Sequence, residues 1–140
     1  EEAFAADLTE TVARAQAAGV AQMLVIGCTL ASSRRAVELA EQFPSMFAVV
    51  GIQPNYVHEA GPEDFAEIGR LAESPRVVGL GETGLDRYWD FAPLELQRDY
   101  FRRHLALSRE RGLPFVVHCR EAGADVVAEL ELAAQAGPLS

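Results

Sequence analysis

Two junctions in this chain place a metal-competent side chain where a short apolar run gives way to a polar loop: Gly81-Glu82-Thr83-Gly84-Leu85-Asp86 and Val117-His118-Cys119-Arg120-Glu121. A carboxylate and an imidazole at two such ends are the start of a hydrolytic metal site. Imidazole with carboxylate suits zinc or manganese, and carboxylate with water suits magnesium. A carboxylate carried out of an apolar strand is costly unless paired, hydrogen-bonded or metal-bound. Taken singly, Glu82 also reads as a structural acid bonded to loop amides and His118 as a hydrogen-bonded core histidine. Their coincidence at two equivalent ends favours the metal reading.

The other reactive types carry less. His58 lies in a polar stretch and His104 within a helical pattern, and both read as solvated structural residues. Cys119 reads as a small buried residue, with no base at a spacing that would make it a nucleophile. Asp86 and Asp90 are placed to position the turn or a water. Tyr88, Trp89 and Phe91 follow the glutamate junction; they either stack on a nucleobase or pack their loop onto the fold, and the second reading is preferred. Every basic residue is an arginine, so the chain supplies no lysine for Schiff-base chemistry.

The elements that must position these residues are legible as four apolar runs, 23–28, 46–52, 76–82 and 113–119. They are short, rich in Val and Ile, and nearly continuous, the pattern of parallel strands buried on both faces. Helical periodicity fills the intervals. Asp7 and Glu10 stand at capping-box spacing before a helix that ends at Gly19. A second helix spans 33–43, closed by Pro44. Pro62 opens a third, with Phe65, Ile68 and Ala72 on one face. The fourth and longest, 93–111, aligns Leu94, Gln97, Phe101, Leu105 and Ser108 and stops at Gly112. A fifth starts near Glu121 or Ala122, carries Val126, Val127 and Leu130, and ends at Gly137-Pro138.

A helix followed by four strand-helix units implies an α/β fold with a parallel sheet, either doubly wound or part of a (β/α)8 barrel. The junction residues decide for the barrel, whose chemistry sits at the C-terminal ends of several strands. A doubly wound nucleotide fold would show a glycine-rich phosphate loop after its first strand, and Gly27-Cys28-Thr29-Leu30-Ala31-Ser32-Ser33 is not one. At 140 residues the chain makes one domain or one piece of a larger one. With 49% hydrophobic and 24% charged residues it reads as a soluble protein without a membrane span. Two unpaired-looking cysteines, Cys28 and Cys119, fit a reducing cytoplasm. A net charge of −9 argues against a broad basic surface for non-specific nucleic-acid binding, so a phosphate would have to be held locally.

The two junctions, together with Gln97, Phe101 and Leu105 and the stretch Leu113-Pro114-Phe115-Val116-Val117-His118-Cys119-Arg120-Glu121-Ala122, resemble the central signatures of the TatD-related metal-dependent DNases. Gly51-Ile52-Gln53-Pro54 resembles an earlier signature of the same family. The resemblance implies a partial TIM-like (β/α)8 barrel of the amidohydrolase type, with two divalent metal ions (Mg, Mn or Zn) hydrolysing phosphodiesters, DNA above all. It implies that Glu82 bridges the metals, that His118 binds one of them, and that Arg120 meets a substrate phosphate, for which a guanidinium fork is suited. Gln53 and Asn55 stand where the family usually has histidines; as amides they are candidates for substrate hydrogen bonds and not for proton transfer. By the same resemblance residues 1–140 lack the first strand, with its His-x-His pair, and the C-terminal half of the barrel. Only two of the expected metal ligands are then present, and the isolated segment is expected to be inactive. It would complete its sheet with the remainder of the barrel or associate through open strand edges. A related hydrolase of another ester or amide is the alternative, disfavoured because the carboxylated lysine of such enzymes has no counterpart here.

Overall fold

The computed structural model describes Phe4 and residues 6–139. Its elements are α1 (Leu8–Ala17), β1 (Met23–Ile26), α2 (Leu30–Gln42), β2 (Met46–Val50), a 3-10 turn (Pro54–Tyr56), α3 (Asp64–Leu71), β3 (Val77–Asp86), α4 (Leu94–Arg111), β4 (Phe115–Arg120) and α5 (Gly123–Gln135). The strands form one parallel sheet in the order β1-β2-β3-β4. A doubly wound sheet reverses its strand order part-way, whereas a barrel wall proceeds in sequence. The chain is therefore a run of barrel wall, as its junctions required.

One face of the sheet is covered by helices. Met23 and Val25 of β1, Ala48 and Val50 of β2, and Val77 of β3 join Val37, Leu39, Ile68 and Leu107 in the larger apolar cluster, while Leu85 meets Phe101, Leu105 and Val126 in a second. Because successive strand residues alternate faces, Leu24 and Ile26 point the other way, and they are 56% and 41% exposed. Continuous apolar runs predict strands buried on both faces; here β1 is buried on one, because a barrel interior is filled by the other side of the barrel. Among the described residues no helix is long and apolar enough to cross a membrane.

The helix boundaries reflect local chemistry. Helix α2 begins three residues earlier than its apolar pattern implies, because Thr29 and Ser32 exchange side-chain to backbone bonds in a capping box. Asp7 makes no such cap and pairs with Arg14 instead, at 3.2 Å. Helix α3 starts at Asp64, two residues after Pro62. Helix α4 closes at Gly112, whose φ of +64° is the left-handed stop that its sequence implied. Val127 turns out to solvent while Val126 packs inward.

His104 is not solvated. It is fully buried, its Nδ1 lies 2.7 Å from the Tyr100 carbonyl, and its Nε2 lies 3.1 Å from the amide of Ile52. The carbonyl can only accept and the amide only donate, so the ring is neutral, with its proton on Nδ1. It ties α4 to the end of β2 that carries Gln53. Burial pushes its pKa down to about 4, against the opposing pull of the Tyr100 carbonyl. The folded ring therefore resists protonation while the unfolded one takes a proton near its ordinary value of about 6.5. Stability from this group is complete above that value and is lost as pH falls toward the folded pKa. Urea unfolding at pH 7 and pH 5 is expected to show a loss of about 2 kcal/mol. A midpoint unchanged between the two would show that His104 is not held neutral.

Candidate active site

Glu82 leaves the ladder at a bulge. The β3–β4 register shifts between Leu80 and Thr83, and the amide of Glu82 donates instead to the Gly27 carbonyl beyond the end of β1, at 2.9 Å. Bulges re-aim side chains, and this one brings Glu82 Oε1 to 3.2 Å from His118 Nδ1. Glu82 Oε2 is 3.9 Å from Cys28 Sγ, which donates from the end of β1. Strand β3 then continues to Asp86, so the glycine-rich segment read as a turn is strand paired with β4: Gly84 faces His118 and Asp86 faces Arg120.

Asp86 is the residue whose role the sequence understated. Its side chain is buried, and Oδ2 lies 2.8 Å from His118 Nε2 and 2.9 Å from Asn55 Nδ2, while Oδ1 accepts from the amides of Tyr88 and Trp89. Burial pushes its pKa up, but the Trp89 amide, Asn55, His118 and the Tyr88 amide together hold it below the usual carboxylate range. An ionised Asp86 can only accept, so His118 carries a proton on Nε2. Gln97 fixes the backbone on which this rests: its Oε1 accepts from the Asp86 amide at 2.8 Å, and its Nε2 donates to the carbonyls of Asp86 and Ala92. Arg87 next door is clamped to Asp125 of α5, whose carboxyl Arg87 and then Arg98 hold at a pKa of about 2.

His118 Nδ1 then stands 3.2 Å from Glu82 Oε1 and 3.3 Å from Gln53 Nε2. An unprotonated Nδ1 accepts from the Gln53 amide, and beside the Glu82 carboxylate it is also placed to share a cation. A carboxylate behind the far imidazole nitrogen is also the arrangement that orients a metal-binding histidine. Glu82 and His118 thus fit two donors of a divalent-metal shell. They do not complete one: among the described residues no group of three or more His, Cys, Asp or Glu is arranged to hold a metal.

Gln53 and Asn55 are drawn into the same network. Gln53 Nε2 is 3.3 Å from His118 Nδ1, and its Oε1 accepts from the Asn55 amide at 2.9 Å. Both residues also line an open cavity of about 300 Å³ with Tyr56, His58, Glu59, Trp89 and Phe91. The guanidinium of Arg120 lies over the Tyr88 ring at 3.9 Å, and the side chain forms no ion pair among the described residues. Trp89 and Phe91 stack on each other and stay 44% and 56% exposed, while Arg120 of β4 lies over the rings of Tyr88 and Trp89 and the neighbouring Ala92 is buried in the larger cluster. Cys119 is exposed and not buried, because it stands near the end of β4, where the strand runs past the helices. Neither it nor Cys28 is in a disulfide.

Sequentially ordered parallel strands with an acid and an imidazole converging at their C-terminal ends define a segment of a (β/α) barrel. The chain belongs to the TatD related DNase family, whose sequence profile matches residues 1–138. It is 36% identical over 130 residues to the uncharacterized metal-dependent hydrolase YabD of Bacillus subtilis, covering 93% of this chain and 51% of that protein. It is 41% identical over 120 residues to the 3'-5' ssDNA/RNA exonuclease TatD of Erwinia tasmaniensis, covering 85% of this chain and 46% of the relative. In fold it matches the crystal structure of YjjV, a TatD homologue from Escherichia coli K12, with a TM-score of 0.87 at 24% identity, over 93% of this chain and 51% of that one. The chain spans about half the length of the curated relatives it matches.

Proposed function

We propose that this chain contributes half of the active site of a metal-dependent phosphodiesterase acting on DNA or RNA, with single-stranded strands as the substrate. The observation that carries this reading is His118 Nδ1 at 3.2 Å from the Glu82 carboxylate, with Asp86 behind the ring. Glu82 would bridge two divalent ions and His118 would bind one, with the remaining ligands supplied by polypeptide outside these 140 residues. Such ions, when bound, lower the pKa of a water and offset charge on the phosphoryl group. Arg120, held over Tyr88 with its donors uncommitted to any carboxylate among the described residues, would meet the substrate phosphate. Gln53 and Asn55 hold His118 and Asp86 on one side and face the substrate cavity on the other. The family name and the activities named for the relatives from Bacillus subtilis and Erwinia tasmaniensis support the same reading. The cysteines kept as thiols support a cytoplasmic setting.

A second reading concerns the chain by itself. Strands β1 and β4 each have one unpaired edge in this sheet, and Leu24 and Ile26 are exposed beside one of them. In isolation the segment would be a non-catalytic half-barrel that associates through those edges. One experiment addresses both readings, with cleavage and particle size recorded for the 140-residue chain and for a polypeptide extended to the length of its relatives. The extended form is expected to shorten single-stranded oligonucleotides with Mg or Mn and to stop on chelation, while the short form is inactive and self-associated. Metal-independent cleavage, or none, would overturn the first reading; a monodisperse monomer of the short form would overturn the second.

A further inference from the structure

The cavity beside the candidate metal donors has walls that a metal-assisted hydrolysis does not require. Tyr56, Trp89 and Phe91 are each between 41% and 56% exposed, although large aromatic side chains are normally drawn inside. Trp89 and Phe91 lie nearly parallel, 27° apart with ring centroids at 5.4 Å, and both rings stay about half exposed. The floor is polar: Gln53 and Asn55 line the same space, and Asn55 Oδ1 is buried without a hydrogen-bond partner among the described residues. A buried acceptor of this kind is satisfied by an N–H brought from elsewhere. At about 300 Å³ the cavity sits at the small end of ligand sites and has room for one ring system.

We propose that this cavity binds a single nucleobase of a single-stranded nucleic acid, stacked on the Trp89–Phe91 face with an exocyclic or ring N–H donated to Asn55 Oδ1. The proposal rests on the reading of the site as a nucleic-acid phosphodiesterase and names the part of the substrate that the site holds. Two connections place the base beside the chemistry. Gln53 lines the cavity and also lies 3.3 Å from His118 Nδ1, and the Trp89 amide donates to the Asp86 carboxylate that orients His118. The Arg120 guanidinium lies 5.6 Å from the centroid of the Trp89 ring that lines the cavity. Charge supplies the reason for such a device. At a net charge of −9 the chain gains little from general attraction to a phosphate backbone, so affinity must come from stacking and from one or two local contacts. A duplex keeps its bases stacked on each other and offers no face to this surface.

Trp89 is the chain's single tryptophan, so its fluorescence reads the event directly. With chelator present to prevent hydrolysis, titration with oligothymidylate is expected to quench Trp89 saturably. An oligomer of equal length built from abasic nucleotides, which keeps every phosphate, is expected to quench at least tenfold more weakly. Phe91→Leu, at a position too exposed to endanger folding, is expected to weaken oligothymidylate binding about tenfold. Equal response to the two oligomers, no quenching, or full affinity in the Phe91→Leu variant would each overturn the proposal. Cleavage by the extended polypeptide separates this inference from the reading beneath it. Base-dependent quenching without metal-dependent cleavage supports the subsite and removes the catalytic reading, while cleavage without base-dependent quenching does the reverse.

Discussion

Glu82→Gln in a polypeptide of the relatives' length is expected to reduce metal-dependent phosphodiester hydrolysis by more than about a hundredfold, with a melting temperature within a few degrees of the parent. The floor on the magnitude comes from comparison with residues that only orient a ligand, whose loss typically costs 10- to 100-fold in metal affinity or activity. A side chain that itself bridges the ions should cost more. The near-constant stability follows from its surroundings: Glu82 is 30% exposed, belongs to neither apolar cluster, and touches His118 and Cys28 through its carboxylate alone. An amide of the same shape fills the same space.

The measurement is paired, with initial rates at saturating Mn and thermal melting of the same samples without metal. Loss of activity with retained stability supports Glu82 as a donor to the ion. Retained activity would remove it from the site, and loss of both would return it to the structural acid that its sequence position also allowed. A weaker dependence of melting temperature on added Mn in the variant would locate the defect in metal binding, since a ligand that binds only the folded state raises stability with its concentration.

How much of this site was legible before the fold was known depends on how local each cause is. Glu82 and His118 were visible because a polar residue ending an apolar run is a local event, and parallel strands carry such ends to one rim. The helix stops at Gly19, Pro44 and Gly112 were visible for the same reason. Asp86 was harder. Gly84 and Asp86 itself made the segment look like a turn, and only the pairing with β4 from Thr83 to Asp86 keeps β3 extended far enough to set Asp86 behind the imidazole. His104 was misjudged because nothing near it in sequence says that its partner is the Ile52 amide, 52 residues away. Gln97 was placed correctly on the inner face of its helix, but that the face meets the backbone of Asp86 is a tertiary fact. The exposed pair Trp89 and Phe91 shows the limit from the other side, since aromatic composition alone favours packing and only the structure shows them stacked in solvent.

Gly84→Ala is expected to be the most damaging single-atom change in the sheet. Gly84 has φ of +135°, a conformation that residues with a Cβ rarely adopt, and an added Cβ would stand 2.1 Å from the carbonyl oxygen of His118. Relief by moving the strand is blocked on both sides, because Thr83 and Leu85 are each at most 1% exposed. Backbone strain and overpacking together should cost roughly 3 to 5 kcal/mol. That is a large part of the roughly 5 to 15 kcal/mol that holds a typical domain, and it should lower the melting temperature by about 10 °C or more. Whatever fraction folds should carry a displaced His118, so that metal affinity falls along with stability, in contrast to Glu82→Gln, where the two separate. Gly69→Ala provides the control: in α3 the nearest atom to its new Cβ is Leu107 Cδ1 at 4.0 Å, and alanine in a helix is favoured over glycine by up to about 1 kcal/mol. Equal melting temperatures for the two alanine variants would mean that β3 and β4 are not joined at Gly84 and His118, and the position of the imidazole would then need another cause.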